Sequence, residues 1–422
     1  MDERYHFDER IAQGELDDAA RGWLRAVRFG FNEKHSAEEN LQRWWATCCA
    51  DRTRLRWVQR APQMAGLGLD EVPVATLASL TRHLNVGEER LDCHYITDVT
   101  VRATDRRRGL LRRLITDDLT AARESGLAVA SLTASEGGIY GRFGFGVAIT
   151  RQRVDVDTGL RFVLRPESAQ LADTCQVEQA DPLVCSELVQ DLHRRFLASF
   201  RGAHQTMNYH ASLHSGEWDW ETMAPHTGMR AALAFVDDEP RGAVSYLVED
   251  QTARVVDLVA LDGAAELALW RYLAGLDLVD TVRFANLQEG SALRPALVDH
   301  RVVNTVAESD QIWLRLLDVP AALLARGWEH DGQITLAVTD PLELSPGCWT
   351  LTIRDGQPTL EPAERTAAQV TLGIDALAEL YLGTAPAPVL ASAGRIAGDP
   401  AAVGRLGRMF AVTHPAANLV FF

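Results

Sequence analysis

The stretch from residue 92 to residue 146 constrains the fold more than any other part of the chain. DCHYITDVTVRA alternates apolar and polar side chains, the period of a strand with one covered face. RRRGLL then leads into a helix running from about residue 108 to residue 124, with Leu110, Leu111, Leu114, Ile115 and Leu119 on one side. Gly126 is its stop signal, and LAVASLTA is a second strand. SEGGIYGRFGFG closes the segment, five glycines in twelve positions around Tyr140. So dense a glycine run means that the backbone passes close to something. Strand, basic turn, helix, strand and glycine loop make an α/β unit whose working end is the turn after the first strand.

The remaining chain repeats part of this plan. Residues 16–47 read as helical, and LRWVQRA, QMAGLGL and VPVATLASLTRHLNV read as strands. Past residue 156, RAALAFVD, RGAVSYLVED and RVVDLVAL are strand-like, the helical AAELALWRYLAGL follows, and TVRFANL is another strand. VDLVALDGAAELALWRYLAGL lies naturally beside VTVRATDRRRGLLRRLITDDL, but its turn has lost every arginine and cannot neutralise an anion. From about residue 306 the texture changes again: IWLRLLDVPAALLARGW reads as a tryptophan-flanked helix, QITLAVTD and GCWTLTIRD as strands, and DALAELYLG as a helix before an alanine-rich tail. A chain of 422 residues exceeds one comfortable core, and three domains is the economical division.

Charge separates two zones. The formal net charge is −16, which repels nucleic acid and anionic membrane and would gather cationic small molecules, though it also serves plain solubility. Residues 102–113, RATDRRRGLLRR, are the exception, with six arginines and one aspartate. A helix start offers unpaired N–H groups and the positive end of its dipole. Gly109 lets the backbone approach a ligand, and arginines add charge-assisted bonds. Taken alone, the turn fits a phosphate site and a solvated helix start alike. The Lys-Ser/Thr of a P-loop is absent, which excludes that class, and the absence of GxGxxG weakens a dinucleotide reading. No apolar run reaches the roughly 18–20 residues needed to span a bilayer, and MDERYHFDER has no export signature. Six cysteines without CxxC spacing, and no histidines clustered near them, argue against disulfides or structural zinc; no metal and a cytoplasmic location are expected.

In combination, ITDVTVRATDRRRGLLRRL and LTASEGGIYGRFGFG resemble the GNAT acyltransferases, and more closely the Eis family of N-acetyltransferases. The resemblance implies an α/β (α+β) chain of three domains. Residues 1–155 would be an active GNAT domain, 156–305 a degenerate GNAT-like domain, and 306–422 a domain similar to sterol carrier proteins. It implies acetyl-CoA as co-substrate, aminoglycoside amines acetylated at more than one position, and a homohexamer. Carried over by motif, Val99, Thr100 and Val101 would pair with the pantetheine arm. Arg107, Arg108, Gly109, Leu110, Leu111 and Arg112 would cradle the pyrophosphate, and Ser135 and Glu136 would complete the contacts.

The same resemblance makes Tyr140 the general acid, and elementary chemistry agrees. Amine attack on an acetyl thioester passes through a tetrahedral oxyanion and expels a thiolate, which needs a proton from a group about 3 Å away. Tyrosine, with a reference pKa near 10, holds that proton at neutral pH. Without the glycines and the arginine turn, a surface-packed tyrosine would be the ordinary reading. The family assigns the base to the terminal carboxylate, here that of Phe422. NLVFF is uncharged and mostly apolar, built for burial or for an ordinary last strand. An α-carboxylate, reference pKa near 3.5, is better suited to orient an amine than to deprotonate it.

A cationic acceptor calls for acids and aromatic faces. Asp98, just before the VTV strand, stands where the family often has an apolar residue; it would bind ammonium or pair with a nearby arginine. Phe421 and Thr133 depart from a relative that carries an acid and a histidine there. Phe29, Trp44 and Trp45 lie in the region that usually walls the acceptor site, although core packing is the default for tryptophan. Two other readings stand beside antibiotic acetylation: acetylation of polyamines, cationic peptides or protein lysines, and a non-catalytic lipid-binding or assembly protein with a relic GNAT fold.

Overall fold

The computed structural model describes residues 4–34, 36–61, 66–220 and 222–422. The first part comprises β1 (Tyr5–Ile11), α1 (Asp18–Gly30), α2 (Glu38–Ala50), β2 (Arg54–Arg60), β3 (Ala75–Asn85), β4 (Arg90–Val101), α3 (Leu110–Glu124), β5 (Val129–Leu132) and β6 (Gly146–Asp157). Asp17 starts α1 by accepting from the Ala20 amide at 2.8 Å. The helix expected over 16–47 is in fact two. Asn32 takes a φ of 59° and Ala37 is extended at the start of α2, and neither conformation continues a helical ladder. The strand expected over 63–69 is not found either. Residues 66–69 form turns in which Gly66 and Gly68 take φ of 83° and 76°, while 63–65 lie outside the described residues.

The second part runs through α4 (Pro166–Ala172), β7 (Gln176–Ala180), α5 (Ser186–Ser199), α6 (Tyr209–Ser215), β8 (Arg230–Val236), β9 (Glu239–Glu249), β10 (Thr252–Ala260), α7 (Gly263–Ala274), β11 (Thr281–Leu287), α8 (Leu293–Ala296) and β12 (Val303–Leu316). The third holds α9 (Val319–Ala325), β13 (Gly332–Thr339), β14 (Gly347–Arg354), β15 (Gln357–Pro362), β16 (Val370–Gly373), α10 (Ile374–Tyr381), α11 (Ala387–Ser392), β17 (Ile396–Gly398) and α12 (Pro400–Phe410). Here the expected helix IWLRLLDVPAALLARGW is corrected, because residues 312–316 finish β12 and only Val319–Ala325 is helical. Ile312, Leu314, Arg315 and Leu316 are all fully buried. A strand covered on both faces loses its alternation and reads like a buried helix.

Twelve strands form one sheet in the order β1-β2-β3-β4-β5-β12-β6-β11-β10-β9-β8-β7, and five form a second, β15-β14-β13-β16-β17. Strand β6 pairs with β12 on one side and β11 on the other, so the first two parts share a continuous sheet. The boundaries expected after residues 155 and 305 fall within β6 and β12. The crossovers through α3 and α7 make β4–β5 and β10–β11 parallel pairs. The third part docks through one apolar cluster that runs from Leu80, Tyr95 and Ile149 to Leu336, Leu377 and Phe410. Within that interface the buried Arg315 donates to both oxygens of Asp340 at 2.8 and 2.7 Å. Removing either partner would strand a buried charge, at a cost of about 3–5 kcal/mol. Among the described residues no helix is long and apolar enough to cross a membrane.

Candidate active site

Strand β4 outruns its parallel neighbour. Residues 93–96 pair with 129–132 of β5, after which β4 continues to Val101 with that edge unpaired among the described residues. Val99, Thr100 and Val101 therefore present backbone groups to a cleft, at the carboxyl end where open α/β units bind ligands. Beyond it, Ala103–Asp105 forms a short 3-10 turn and residues 106–109 lead into α3. Arg107 and Gly109 sit at φ of 62° and 79°, and no side chain caps the helix. The amides of Leu110, Leu111 and Arg112 at this first turn lack intrahelical partners.

The arginines divide by task. Arg102 is turned inward to the Val72 carbonyl at 2.8 Å, and Arg113 lies over the Phe7 ring at 3.9 Å. The one acid of the island, Asp105, is buried and accepts from Arg60 at 2.7 Å and Tyr5 at 2.9 Å. Burial pushes its carboxyl up, but the hydrogen bonds of Arg60, Thr104 and Tyr5 win and hold it below the usual range. Arg107, Arg108 and Arg112 are exposed. Their ion-pairing capacity is uncommitted among the described residues. An uncapped helix start with three such guanidiniums fits a pyrophosphate.

A cavity of about 390 Å³ opens beside β4. It is lined by Arg28 in the last turn of α1 and by Phe31 and Glu33 after it, by Trp44 and Cys48 of α2 and Asp51 just after it, by Thr97, Asp98 and Ser135, by Tyr209, Trp220 and Met223 of the second part, and by Phe422. Its acids differ in their partners. Glu33 takes Arg28 at 2.7 Å, and Asp51 takes Arg82 as well as the Asn208 side chain at 2.7 Å. Asp98 makes no ion pair and its carboxylate no hydrogen bond among the described residues. Chiefly through burial, and then through the charge of Glu33, its carboxyl is pushed up to about 7.

The far end of the sequence closes the cavity. The Phe422 ring stacks on Tyr95 with centroids 4.1 Å apart and planes 12° apart, and the Thr133 hydroxyl donates to the Phe422 main-chain oxygen. Tyr209 Oη donates to the Phe421 carbonyl at 2.6 Å, with His210 Nε2 3.0 Å from the same oxygen. The fully buried Asn418 joins the parts: its amide donates to Gln288, its carbonyl accepts from Gln311 and Asn286, and its side chain accepts from the His204 amide. Residues 417–422 form no strand.

Tyr140 sits in the apolar cluster of Leu110, Leu114, Leu132 and Phe143, edge-on to Phe145 at 6.1 Å. Its hydroxyl makes no hydrogen bond among the described residues. Burial, then the charge of Glu136, pushes the phenol up to about 12, so it is a proton holder at neutral pH. The glycines around it serve two purposes. A Cβ at Gly138 or Gly141 would meet nothing within 4 Å, whereas one at Gly144 or Gly146 would collide with Arg315 and Ile374 or with the Asp375 main chain. Part of the run exists for docking the third part.

The sequence-derived residues distribute unevenly. Asp98, Ser135 and Phe422 line one cavity, and Val99–Val101, the arginine turn and Tyr140 lie on the adjoining strand, helix start and loop. Phe29 and Trp45 do not line the cavity. Phe29 is exposed, and Trp45 is buried with its indole N–H on the Gly14 carbonyl at 3.0 Å. Phe31 and Trp44 stand there instead, because residues 27, 28 and 31, and 44, 47, 48 and 51, share helical faces from which 29 and 45 are rotated away. Tyr209, Trp220 and Met223 carried no local signal. The twelve histidines, unpatterned in the sequence, also yield a buried group in which Asp257 meets His193 at 2.8 Å and His214 at 3.5 Å.

Comparison with known proteins gives a coherent picture. Residues 14–148 and 212–316 each match an acetyltransferase (GNAT) domain, and residues 319–418 match the sterol carrier protein domain. An uncharacterized N-acetyltransferase of Streptomyces avermitilis is 33% identical over 396 residues, covering 92% of this chain and 91% of that one. N-acetyltransferase Eis of Mycobacterium tuberculosis is 34% identical over 364 residues, 83% of this chain and 86% of its own. The crystal structure of Eis1 from Mycobacterium abscessus superposes with a TM-score of 0.79 at 24% identity, over 99% of this chain and 100% of that one. A GCN5-related N-acetyltransferase from Kribbella flavida gives 0.73 at 23% identity, over 99% of both chains.

Proposed function

The chain belongs to the Eis family of GNAT N-acetyltransferases, and from that premise we propose that it acetylates cationic small molecules, aminoglycosides first, at more than one amine. Acetyl-CoA would supply the activated acetyl thioester. The observation that carries the substrate reading is the cavity beside β4. About 390 Å³ lies within the range of small-ligand sites, and Glu33, Asp51 and Asp98 share its wall with Phe31, Trp44, Tyr209 and Trp220. Acids attract an ammonium group and aromatic faces stabilise it further.

In this reading Arg107, Arg108, Arg112, Gly109 and the amides of 110–112 hold the pyrophosphate, and Val99–Val101 align the pantetheine arm. Ser135 and Glu136 border both ligands. Tyr140 keeps a proton at its hydroxyl for the departing sulfur. In a chain that closes at Phe422, the oxygen held by Thr133 belongs to an α-carboxylate and orients the amine. The three-part division, with a working first GNAT domain, a second that has surrendered its anion turn and a sterol-carrier-like scaffold, belongs to the same proposal, as do a homohexamer and a cytoplasmic home. The filled interior of the third part, where Arg326 donates to the carbonyls of Tyr381 and Phe410 at 2.7 Å each, favours a scaffold over a lipid carrier.

The test is thiol release from acetyl-CoA with a panel of amines: kanamycin, spermidine and a lysine peptide. Kanamycin should turn over fastest and yield more than one product by mass, and Tyr140→Phe should lower turnover roughly a hundredfold. Activity on the lysine peptide alone would overturn the substrate reading.

A further inference from the structure

We propose that Asp98 is the proton acceptor for the attacking amine, a role that rests on the amine-acetylation reading above. Three geometric facts single it out. It occupies a bulge: Thr76 pairs with Thr100 and Ala78 with Thr97, so Asp98 and Val99 together oppose Leu77. Bulges re-aim a side chain, and this one places Asp98 at φ 52°, with Thr76 Oγ1 donating to its carbonyl at 2.8 Å. Backbone in that region is sparsely populated, and aspartate is one of the few residues that tolerate it. Second, Asp98 is half-buried on the cavity wall, one residue before the strand segment expected to align the acetyl donor. Third, its carboxylate has no partner among the described residues, while the other two acids of the wall have arginines.

The surrounding groups keep it apt for the task. Facing it from the end of α1 are Glu33 and Arg28, paired with each other. From α2 and the residue that ends it come Cys48 and Asp51, and from α6 Tyr209. Burial pushes the Cys48 thiol and the Tyr209 phenol well up, so both stay neutral. The Asp51 carboxyl is also raised by burial, against the pull of Arg82, and its oxygens are engaged by Arg82 and Asn208. The Phe422 main-chain oxygen, which accepts from the Thr133 hydroxyl, keeps the orienting part given to it above. A base with an ordinary carboxylate pKa would be too weak to compete for an ammonium proton, and one that titrates near neutrality is far better matched.

The proton balance closes. One N–H bond of the ammonium breaks and its proton passes to an Asp98 oxygen, leaving the electron pair on nitrogen. The C–N bond forms as the carbonyl π pair moves to oxygen; the tetrahedral oxyanion then collapses, the C–S bond breaks and sulfur takes the Tyr140 proton. The surplus proton on the new amide nitrogen restores the phenol, and Asp98 gives its proton to water.

The experiment compares wild type, Asp98→Asn and Asp98→Glu with kanamycin and spermidine between pH 5.5 and 9. Wild-type kcat should fall on the acid side with an apparent pKa near 7. Asp98→Asn should lose that limb and roughly a hundredfold in kcat, with acetyl-CoA affinity unchanged and partial recovery in Asp98→Glu. A raised KM with kcat within about threefold would overturn the role and leave Asp98 a binding group. A second readout needs no substrate. The folded carboxyl lies above the unfolded value of 3.8, so the stability its proton lends is complete below about pH 4 and lost as pH rises through about 7. Asp98→Asn should therefore gain in thermal midpoint relative to wild type across that window and level off above it. A flat difference with an active wild type overturns the part given to Asp98 alone. Wild type inert toward both amines, with the thermal difference as expected, overturns the amine reading instead.

Discussion

Two strand–turn–helix units lie in the same sheet with the same connectivity, β4 into α3 and β10 into α7, and they differ at the helix start. In the second, the Asp262 carboxylate accepts from the Ala265 amide at 2.9 Å and pairs with Arg241 at 2.7 Å. The helix dipole is answered from within the chain. In the first, Gly109 offers no side chain, Asp105 is folded away onto Arg60 and Tyr5, and three guanidiniums have no ion-pair partner among the described residues. The protein can cap such a helix, and the start left open fits the external anion proposed for it above.

That contrast can be attacked from either side. The largest effect should come from Arg107→Ala, Arg108→Ala and Arg112→Ala combined, which makes the first turn as poor in charge as the second. Losing three charge-assisted contacts should weaken acetyl-CoA by about a hundredfold in calorimetry and flatten its salt dependence. An unchanged affinity would show the turn to be a solvated face. Gly109→Asp transplants the internal carboxylate, and an anion at the open start should repel the pyrophosphate and cost about tenfold in affinity. Smallest in function is Asp262→Ala. It should cost about 1 kcal/mol of stability as a lost cap, while binding stays at one acetyl-CoA per chain. A second equivalent would mean that the cap alone had closed that site.

The legible parts were those whose physics is local. Alternation in β4, the leucine face of α3 and the arginines between them are short-range patterns, and they led to the residues now found around the cleft. Helical phase was harder. Trp45 sits one position and Phe29 two from the aromatic residue that lines the cavity, rotations of about 100° and about 200° that composition does not reveal. Strand β12 read as a helix because the third part covers its second face. Tyr209 and Trp220 reach the cavity only through the shared sheet and the α5–α6 region, which no nearby residue announces. Asp98 was visible as an acid beside the VTV strand, but its freedom from every arginine depends on Arg28 and Arg82 being occupied elsewhere.

The contact between Thr133 and Phe422 joins positions 289 apart in the chain. At the usual ribosomal pace of 5–20 residues per second, roughly 15–60 s separate the emergence of the two. Until residues 303–316 emerge, β5 and β6 lack β12, the strand that lies between them in the sheet, and until residue 422 emerges the cavity beside β4 lacks one wall. The cavity beside β4 is thus completed only with the last residues made, long after the helix start at Gly109 has left the ribosome.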